Sequence, residues 1–209
     1  MESWDDFFIV KINFVVSFNI NCYEPIRQVM KIGIISDSHD DVDNVNKAIT
    51  IFEEEKVGAI IHAGDIISPP IVKEFKKLTD NGIRFFGIFG NNDGEQKGLE
   101  DAFAYINGKL LGNEGKIEID GLKFCIYHGQ DLKRKEKIIN SQKFDVFIYG
   151  HSHTKDSTII KNEKRETIVL NPGSSHSQAK TNFSEPQYFP APSIIIFDTE
   201  TKKGVFVDL

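Results

Sequence analysis

The sequence predicts an α/β protein in which two sheets pack as a sandwich and helices cover its outer faces. Short apolar runs rich in Ile, Val and Phe alternate with segments of helical periodicity between residues 31 and 106. After residue 116, strand-like runs follow one another with a single helical segment between them. Hydrophobic residues make up 40% of the 209 residues, so the chain can fill the core of such a sandwich.

The first half is predicted to alternate three strands with three helices. Apolar, β-branched runs indicate the strands, and the spacing of apolar residues indicates the first helix. Ser68 followed by two prolines is typical of an N-cap and a first helical turn, so the second helix should begin there. The predicted order is strand 31–36, helix 43–56, strand 58–62, helix 68–78, strand 84–89 and helix 97–106.

The second half is predicted to be mostly strands. Asp120-Gly121 lies between two apolar runs, which is a strong signal for a β-hairpin. The interval Pro172–Pro192 is rich in Ser, Asn and Pro, and a loop of this length in a compact domain is often functional. The predicted order is strands 116–119 and 122–127, helix 132–141, strand 145–149, and strands 157–161, 167–170, 193–198 and 205–207.

Composition and charge exclude several classes of protein. The formal net charge is −6, whereas a protein dedicated to duplex DNA needs a basic surface. The two cysteines, Cys22 and Cys125, are too few for a disulfide framework or a zinc–thiolate site and fit a reducing compartment. No apolar stretch reaches the ~20 residues that span a bilayer, and acidic residues precede the most apolar one, Phe7–Ile20. We therefore expect a cytoplasmic protein that binds neither duplex nucleic acid nor membranes.

Side chains of the types that bind metals follow five of the predicted strands. Ligand sites in α/β sheets form beyond the carboxyl ends of strands, so these side chains are expected to share one site. In an extended segment residues i and i+2 point the same way, which would pair Asp37 with His39 and His151 with His153. The candidate ligands are Asp37, His39, Asp65, Asn91, His128, His151 and His153.

Seven mixed nitrogen and oxygen ligands are too many for one tetrahedral ion but suffice for two ions that share one carboxylate. Imidazole nitrogens and carboxylate oxygens together suit first-row divalent metals. We expect two Mn²⁺ ions, with Ni²⁺, Zn²⁺ and Fe²⁺ as alternatives. Two such ions ~3.5–4 Å apart can clamp an in-line displacement at phosphorus.

The motifs around these residues resemble those of the calcineurin-like metallophosphoesterases. The segments are DSH at 37–39, GD at 64–65, GNND at 90–93, HG at 128–129 and GHSH at 150–153. With NPGS at 171–174, the chain from Met30 is similar to the small single-domain phosphodiesterases of that superfamily, a branch that also includes a retromer subunit. The resemblance implies a metallophosphoesterase domain at 30–209 and an N-terminal extension at 1–29, which we interpret as an extra strand or as upstream sequence.

The resemblance also implies a role for each candidate ligand. Asp65 would bridge the two ions, and a hydroxide bridging the same ions would be the nucleophile. The first ion would be held by Asp37, His39, His153 and Asp65, and the second by Asp65, Asn91, His128 and His151.

Asn92 is the predicted catalytic residue, and it departs from a pattern common in the superfamily. Many members have His at this position, where it protonates the leaving group. An amide cannot act as a general acid, but it can donate a hydrogen bond to a phosphate oxygen. None of the four arginines lies in a motif, and a monoester dianion gains most from a guanidinium, so the sequence favours a small phosphate diester as substrate.

Three alternatives accompany this prediction: a phosphomonoesterase, a repair nuclease and a non-catalytic protein-interaction scaffold of the same fold. The short acidic chain argues against the nuclease, and the complete ligand set argues against the scaffold. A homo-oligomer is compatible with the sequence. Outside the ligand set, we interpret His62 as packed, His176 as a loop residue, Cys125 as core, and Asp93 as a hydrogen-bonding partner of a loop or a histidine.

Overall fold

The computed structural model describes residues 30–161, 165–177 and 191–209, and these residues form an α/β sandwich of two sheets with helices outside, as predicted. The predictions for the extension 1–29 and for loop positions 178–190 lie outside the described residues. Within the described ranges, no helix is long and apolar enough to cross a membrane.

Among the described residues, the first sheet has six strands in the order β11-β10-β1-β2-β3-β4. Strands β1 to β4 are parallel, whereas β10 runs antiparallel to both β1 and β11. The short β4 was not predicted, because two residues carry too little pattern to signal a strand. The strands are β1 (Lys31–Ile35), β2 (Ala59–His62), β3 (Arg84–Gly87), β4 (Lys109–Leu110), β10 (Ser193–Asp198) and β11 (Lys203–Asp208).

The second sheet has five strands in the order β5-β6-β7-β9-β8, with β6, β7 and β9 parallel to one another. The predicted hairpin is present, and Asp120 and Gly121 both adopt the left-handed φ that its tight turn requires (51° and 74°). The strands are β5 (Glu114–Ile119), β6 (Leu122–Tyr127), β7 (Val146–Ile148), β8 (Lys155–Lys161) and β9 (Glu166–Pro172).

In the described part of the chain, five helices cover the outer faces of the two sheets. The first four pack on the first sheet and the fifth on the second. The predicted helix 68–78 is wrong in one respect, because it is two short helices that meet at Phe75. There the backbone N–H of Phe75 bonds to Val72 O, an i to i−3 bond that tightens the turn. The helices are α1 (Val42–Glu54), α2 (Pro69–Glu74), α3 (Lys76–Asp80), α4 (Gln96–Tyr105) and α5 (Leu132–Asn140).

One hydrophobic core lies between the two sheets, where alternate residues of β1 and β2 meet those of β6 and β7. Phe124 and Phe197 are fully buried there, with their rings edge to face at 6.0 Å between centroids. This packing brings the carboxyl ends of β1, β2 and β3 to the same end of the sandwich as those of β6 and β7. Every residue of the predicted ligand set lies in a loop that leaves this end.

Candidate metal centre

Five of the seven predicted ligands converge on one point where the two sheets meet. Their donor atoms form two overlapping groups, and within each group all the donor atoms lie within 4.8 Å of one another. Both carboxylates are buried, so the negative charge lies below the surface of the protein. The groups are Asp37 with His39 and His153, and Asp37 with Asp65 and His128.

In the first group, His39 and His153 direct their Nε2 atoms at Asp37. The distances from Asp37 Oδ1 are 3.9 Å to His39 Nε2 and 3.3 Å to His153 Nε2. The two rings lie edge to face with centroids 5.3 Å apart. His39 Nε2 is also 3.6 Å from Asp65 Oδ2, which links this group to the second carboxylate.

In the second group, His128 is fully buried and its orientation is fixed by the backbone. Its Nδ1 donates a hydrogen bond to Ala63 O at 2.8 Å, because a carbonyl oxygen can only accept. A neutral ring then presents the Nε2 lone pair, which lies 3.3 Å from Asp65 Oδ2 and 3.9 Å from Asp37 Oδ1. The exposed His151 packs its ring against this histidine, with centroids 5.3 Å apart.

These donors fit a divalent cation. The Nε2 atoms of His39 and His128 are buried and have no hydrogen-bond partner among the described residues, although each lies close to a carboxylate oxygen. Burial raises the pKa of Asp65, but contacts with His128 and the Asn92 backbone outweigh burial and hold this pKa well below its usual value. Burial lowers the pKa of His39. Burial also acts to lower the pKa of His128, but contacts with the two carboxylates outweigh it and raise this pKa, and a hydrogen bond to Asp37 raises the pKa of His153. A metal binds ionised carboxylates and neutral imidazoles, so a cation here would compete with protons at these two histidines.

Left-handed backbone, rather than extended backbone, aims the ligands. Asp37, Asp65 and His153 have φ values of 53°, 54° and 54°, and His39 and His151 are likewise positive. The prediction that Asp37 and His39 lie close together is confirmed, but its assumption of an extended backbone is wrong. Non-glycine residues rarely adopt this conformation, and clusters of them are typical of functional sites.

Glycines allow the neighbouring loops to pack directly against the two carboxylates. A Cβ atom on Gly90 would overlap with Asp65 Oδ1 and lie 2.9 Å from Asp65 Cγ. A Cβ atom on Gly150 would lie 2.6 Å from Asp37 Oδ2. Neither glycine has a left-handed φ, so space rather than backbone freedom requires glycine at both positions.

The two asparagines of the predicted set lie in the loop that follows β3. Asn91 is exposed beside Gly90, and its role as a ligand stays a prediction. Asn92 donates to Asp65 twice, from its backbone N to Oδ1 at 2.8 Å and from Nδ2 to Oδ2 at 2.7 Å. Its amide group therefore contacts a predicted metal ligand in this structure.

The two remaining histidines of the described residues lie near the centre. His62 is fully buried, with Nε2 3.1 Å from Ser38 Oγ, and burial lowers its pKa to about 3. It is packed, as predicted from its position in β2. His176 lies in the loop after β9, as predicted, and its ring centroid lies 5.7 Å from that of His39.

Sequence reasoning missed the residues that hold the ligands in place. Ser36 donates to Asp37 Oδ2 at 2.5 Å, and the backbone N of His151 donates to the same oxygen at 3.1 Å. Asp41 caps α1 by accepting from Asn44 N, and it also accepts from Ser177 N in the loop after β9. The position of Asp41 just before the apolar period of α1 was a usable N-cap signal. These contacts connect the loops of both sheets.

Comparison with known proteins agrees with this geometry. The family model for the calcineurin-like phosphoesterase superfamily domain matches residues 30–202. A phosphodiesterase of Methanocaldococcus jannaschii is 39% identical over 175 residues, which are 83% of this chain and 96% of that protein. A solved archaeal phosphodiesterase is 36% identical with a TM-score of 0.70, over 86% of this chain and all of the other.

A more distant structure shares the fold alone. A phosphoesterase from E. coli is 15% identical with a TM-score of 0.56, over 86% of this chain and 99% of the other. The family match covers most of the chain and includes every predicted ligand motif, and the converging donors fit a divalent cation. The chain therefore belongs to the calcineurin-like phosphoesterase superfamily and is a metal-dependent phosphoesterase.

Proposed function

We propose that this protein hydrolyses small phosphate diesters at a centre of two divalent metal ions. The observation that carries the proposal is the pair of overlapping donor groups. Asp65 Oδ2 lies within 3.6 Å of a histidine nitrogen from each group, which suits a carboxylate that bridges two ions. Asp37 Oδ1 also contacts histidines of both groups, so it would lie next to the bridge.

Each ion would have its own set of ligands. Asp37, His39 and His153 would hold the first ion together with Asp65. Asn91, His128 and His151 would complete the second, which requires the exposed Asn91 and His151 to turn toward Asp65. When bound, two such ions supply positive charge to the phosphate oxygens and lower the pKa of water to near neutrality.

The chain itself would position the reacting groups. The hydrogen bond from His128 Nδ1 to Ala63 O holds the ring in the tautomer that binds metal through Nε2. The bonds from Ser36 and from the His151 backbone fix Asp37 in the same way. Preorganised ligands of this kind reduce the reorganisation needed when substrate binds.

The charge around the site favours a diester over a monoester. Each arginine among the described residues is engaged with a group outside the ligand set: Arg84 contacts Met30, Arg134 pairs with Glu114, and Arg165 lies 3.8 Å from Asp145. A monoester dianion gains most from a guanidinium, whereas a diester carries one charge and needs less compensation.

Asn92 would influence which esters react. It offers no general acid, and general acid catalysis is typically worth ~10²–10⁴-fold, so esters with a poor leaving group should react slowly. Asn92→Ala should lower the hydrolysis rate of a nitrophenyl diester only slightly, because that leaving group departs as a stable anion. Asn92→His should hydrolyse alkyl diesters faster than wild type if the imidazole reaches the leaving oxygen.

The test is a rate comparison on metal-free protein reconstituted with Mn²⁺. The panel contains a bis-nitrophenyl diester, an alkyl nitrophenyl diester, a dialkyl diester and a nitrophenyl monoester. We expect the nitrophenyl diesters to react fastest, the monoester more slowly and the dialkyl diester slowest. A preference for the monoester would contradict diester selection, and metal binding without hydrolysis would favour the protein-interaction scaffold.

A further inference from the structure

The carboxylate of Asp93 joins the loop after β2 to the loop after β3. Only 3% of this residue is exposed, and its oxygens accept three hydrogen bonds from backbone N–H groups. Oδ2 accepts from Asp65 N at 3.0 Å and from Gly90 N at 2.7 Å, and Oδ1 accepts from Ile67 N at 2.7 Å. One side chain thus binds the backbone of Asp65 and the residue that precedes Asn91.

The loop that Asp93 holds is strained. Asp65 has a φ of 54° and Ile67 a φ of 78°, and positive φ is most unfavourable for a β-branched residue such as isoleucine. Such conformations persist only where the surroundings impose them, and the bonds to Asp93 act on both residues. Without this acceptor, three backbone donors around a largely buried carboxylate would lack a partner.

The two loops also fit closely where Asp93 joins them. A Cβ atom on Gly90 would overlap with Asp65, and Asn92 N already donates to Asp65 Oδ1 at 2.8 Å. A small shift of one loop would therefore move the Asp65 carboxylate relative to Asn91. Both Asp93 oxygens are engaged with backbone donors, so Asp93 is not placed as a metal ligand itself.

We propose that Asp93 is a positioning residue that sets the distance between the Asp65 carboxylate and the Asn91 side chain. The inference rests on the proposed two-ion centre, in which these residues share the second ion. The first ion would share Asp65 with the second, but its other donors, from Asp37, His39 and His153, lie outside the loop after β3. Loss of Asp93 should therefore weaken the second ion more than the first.

The test compares Asp93→Ala and Asp93→Asn with a matched control in the full chain. Asp198 is the control, because its carboxylate also accepts two backbone N–H bonds, from Glu200 at 3.0 Å and Thr201 at 2.7 Å, in the β10–β11 turn. Mn²⁺ binding to metal-free protein is followed by calorimetry, and coupling between two Mn²⁺ ions by electron paramagnetic resonance. Backbone hydrogen exchange at Asp65 and Ile67 is measured without metal.

We expect Asp93→Ala to keep one tight ion, to bind the second at least tenfold more weakly and to lose the coupled signal. Asp93→Asn should recover part of the affinity, because its carbonyl oxygen can still accept while its NH₂ group cannot. Exchange at Asp65 and Ile67 should accelerate at least tenfold in Asp93→Ala, whereas Asp198→Ala should match wild type in all three measurements.

The outcomes separate this proposal from the proposed function. Wild-type affinity for both ions in a folded Asp93→Ala protein would overturn the positioning role, as would equal loss of both ions. Unchanged exchange at Asp65 and Ile67 would overturn it independently of any metal. Wild-type protein that binds no Mn²⁺, with exchange accelerated in Asp93→Ala, would overturn the two-ion centre while leaving the loop contact established.

Discussion

Gly90→Ala should impair the site with a limited loss of stability. The added Cβ would overlap with Asp65 Oδ1 and with the Asp65 backbone N, and would lie 2.9 Å from Cγ. Asp65 or the loop after β3 must then move by roughly 1 Å, and a displacement of that size can cost about 10²-fold in rate. We therefore expect a fall of about 10²-fold in Mn²⁺-dependent hydrolysis of a nitrophenyl diester.

Overpacking of this kind typically costs about 1–3 kcal/mol in the free energy of unfolding. For a chain of this size, that corresponds to a fall in Tm of about 2–12 °C, measured by calorimetry. Gly94→Ala is the matched control, because a Cβ at Gly94 meets no atom within 4 Å and its φ is not left-handed. Wild-type turnover in Gly90→Ala would refute the argument that this glycine makes room for Asp65.

Three further predictions concern the negative charge of Asp65, the stability of the protein in acid and the boundaries of the domain. Asp65→Asn should remove nearly all activity and the second ion, whereas His39→Ala should weaken the binding of one ion only. If elemental analysis finds the same metal content in Asp65→Asn as in wild type, the assigned bridge is contradicted. The unfolded chain binds a proton at His62 below its usual pKa of 6.5, but the native protein does so only near 3, so stability is lost as the pH falls through this window. From pH 7 to pH 5.5, His62 should lower the free energy of unfolding by about 1 kcal/mol, and denaturant unfolding in EDTA should show a smaller loss for His62→Gln. A chain that begins at Met30 should bind Mn²⁺ and hydrolyse diesters, and a folded but inactive truncation would show that residues 1–29 contribute to the site.

The sequence predicted the position of the site because the pattern of strands and the types of ligand residues are both local signals. Each ligand follows an apolar run, and parallel strands necessarily end on the same side of a sheet. The meeting of Asp37 with His128 goes beyond this rule, because the two residues follow strands of different sheets that the packing of the sandwich brings together.

The geometry within the site could not be predicted in the same way. The left-handed φ values of Asp37 and Asp65 depend on contacts such as the Asp93 hydrogen bonds, which link residues 28 positions apart. The prediction that Asp93 bonds to a loop or a histidine is confirmed for the loop, but no local pattern marks an aspartate that accepts from three backbone donors. The division of helix 68–78 at Phe75 has a similar origin, because that side chain is fully buried in the core and stacks on Phe85 at 4.5 Å.

The number of metal ions bound per chain tests the central claim most directly. Metal-free protein would be reconstituted with Mn²⁺, freed of excess ion by gel filtration and measured by elemental analysis. The proposed centre predicts close to two ions per chain for wild type and close to one for Asp65→Asn. No bound ion with Mn²⁺, Ni²⁺, Zn²⁺ or Fe²⁺, or one ion in both proteins, would contradict a two-ion centre bridged by Asp65.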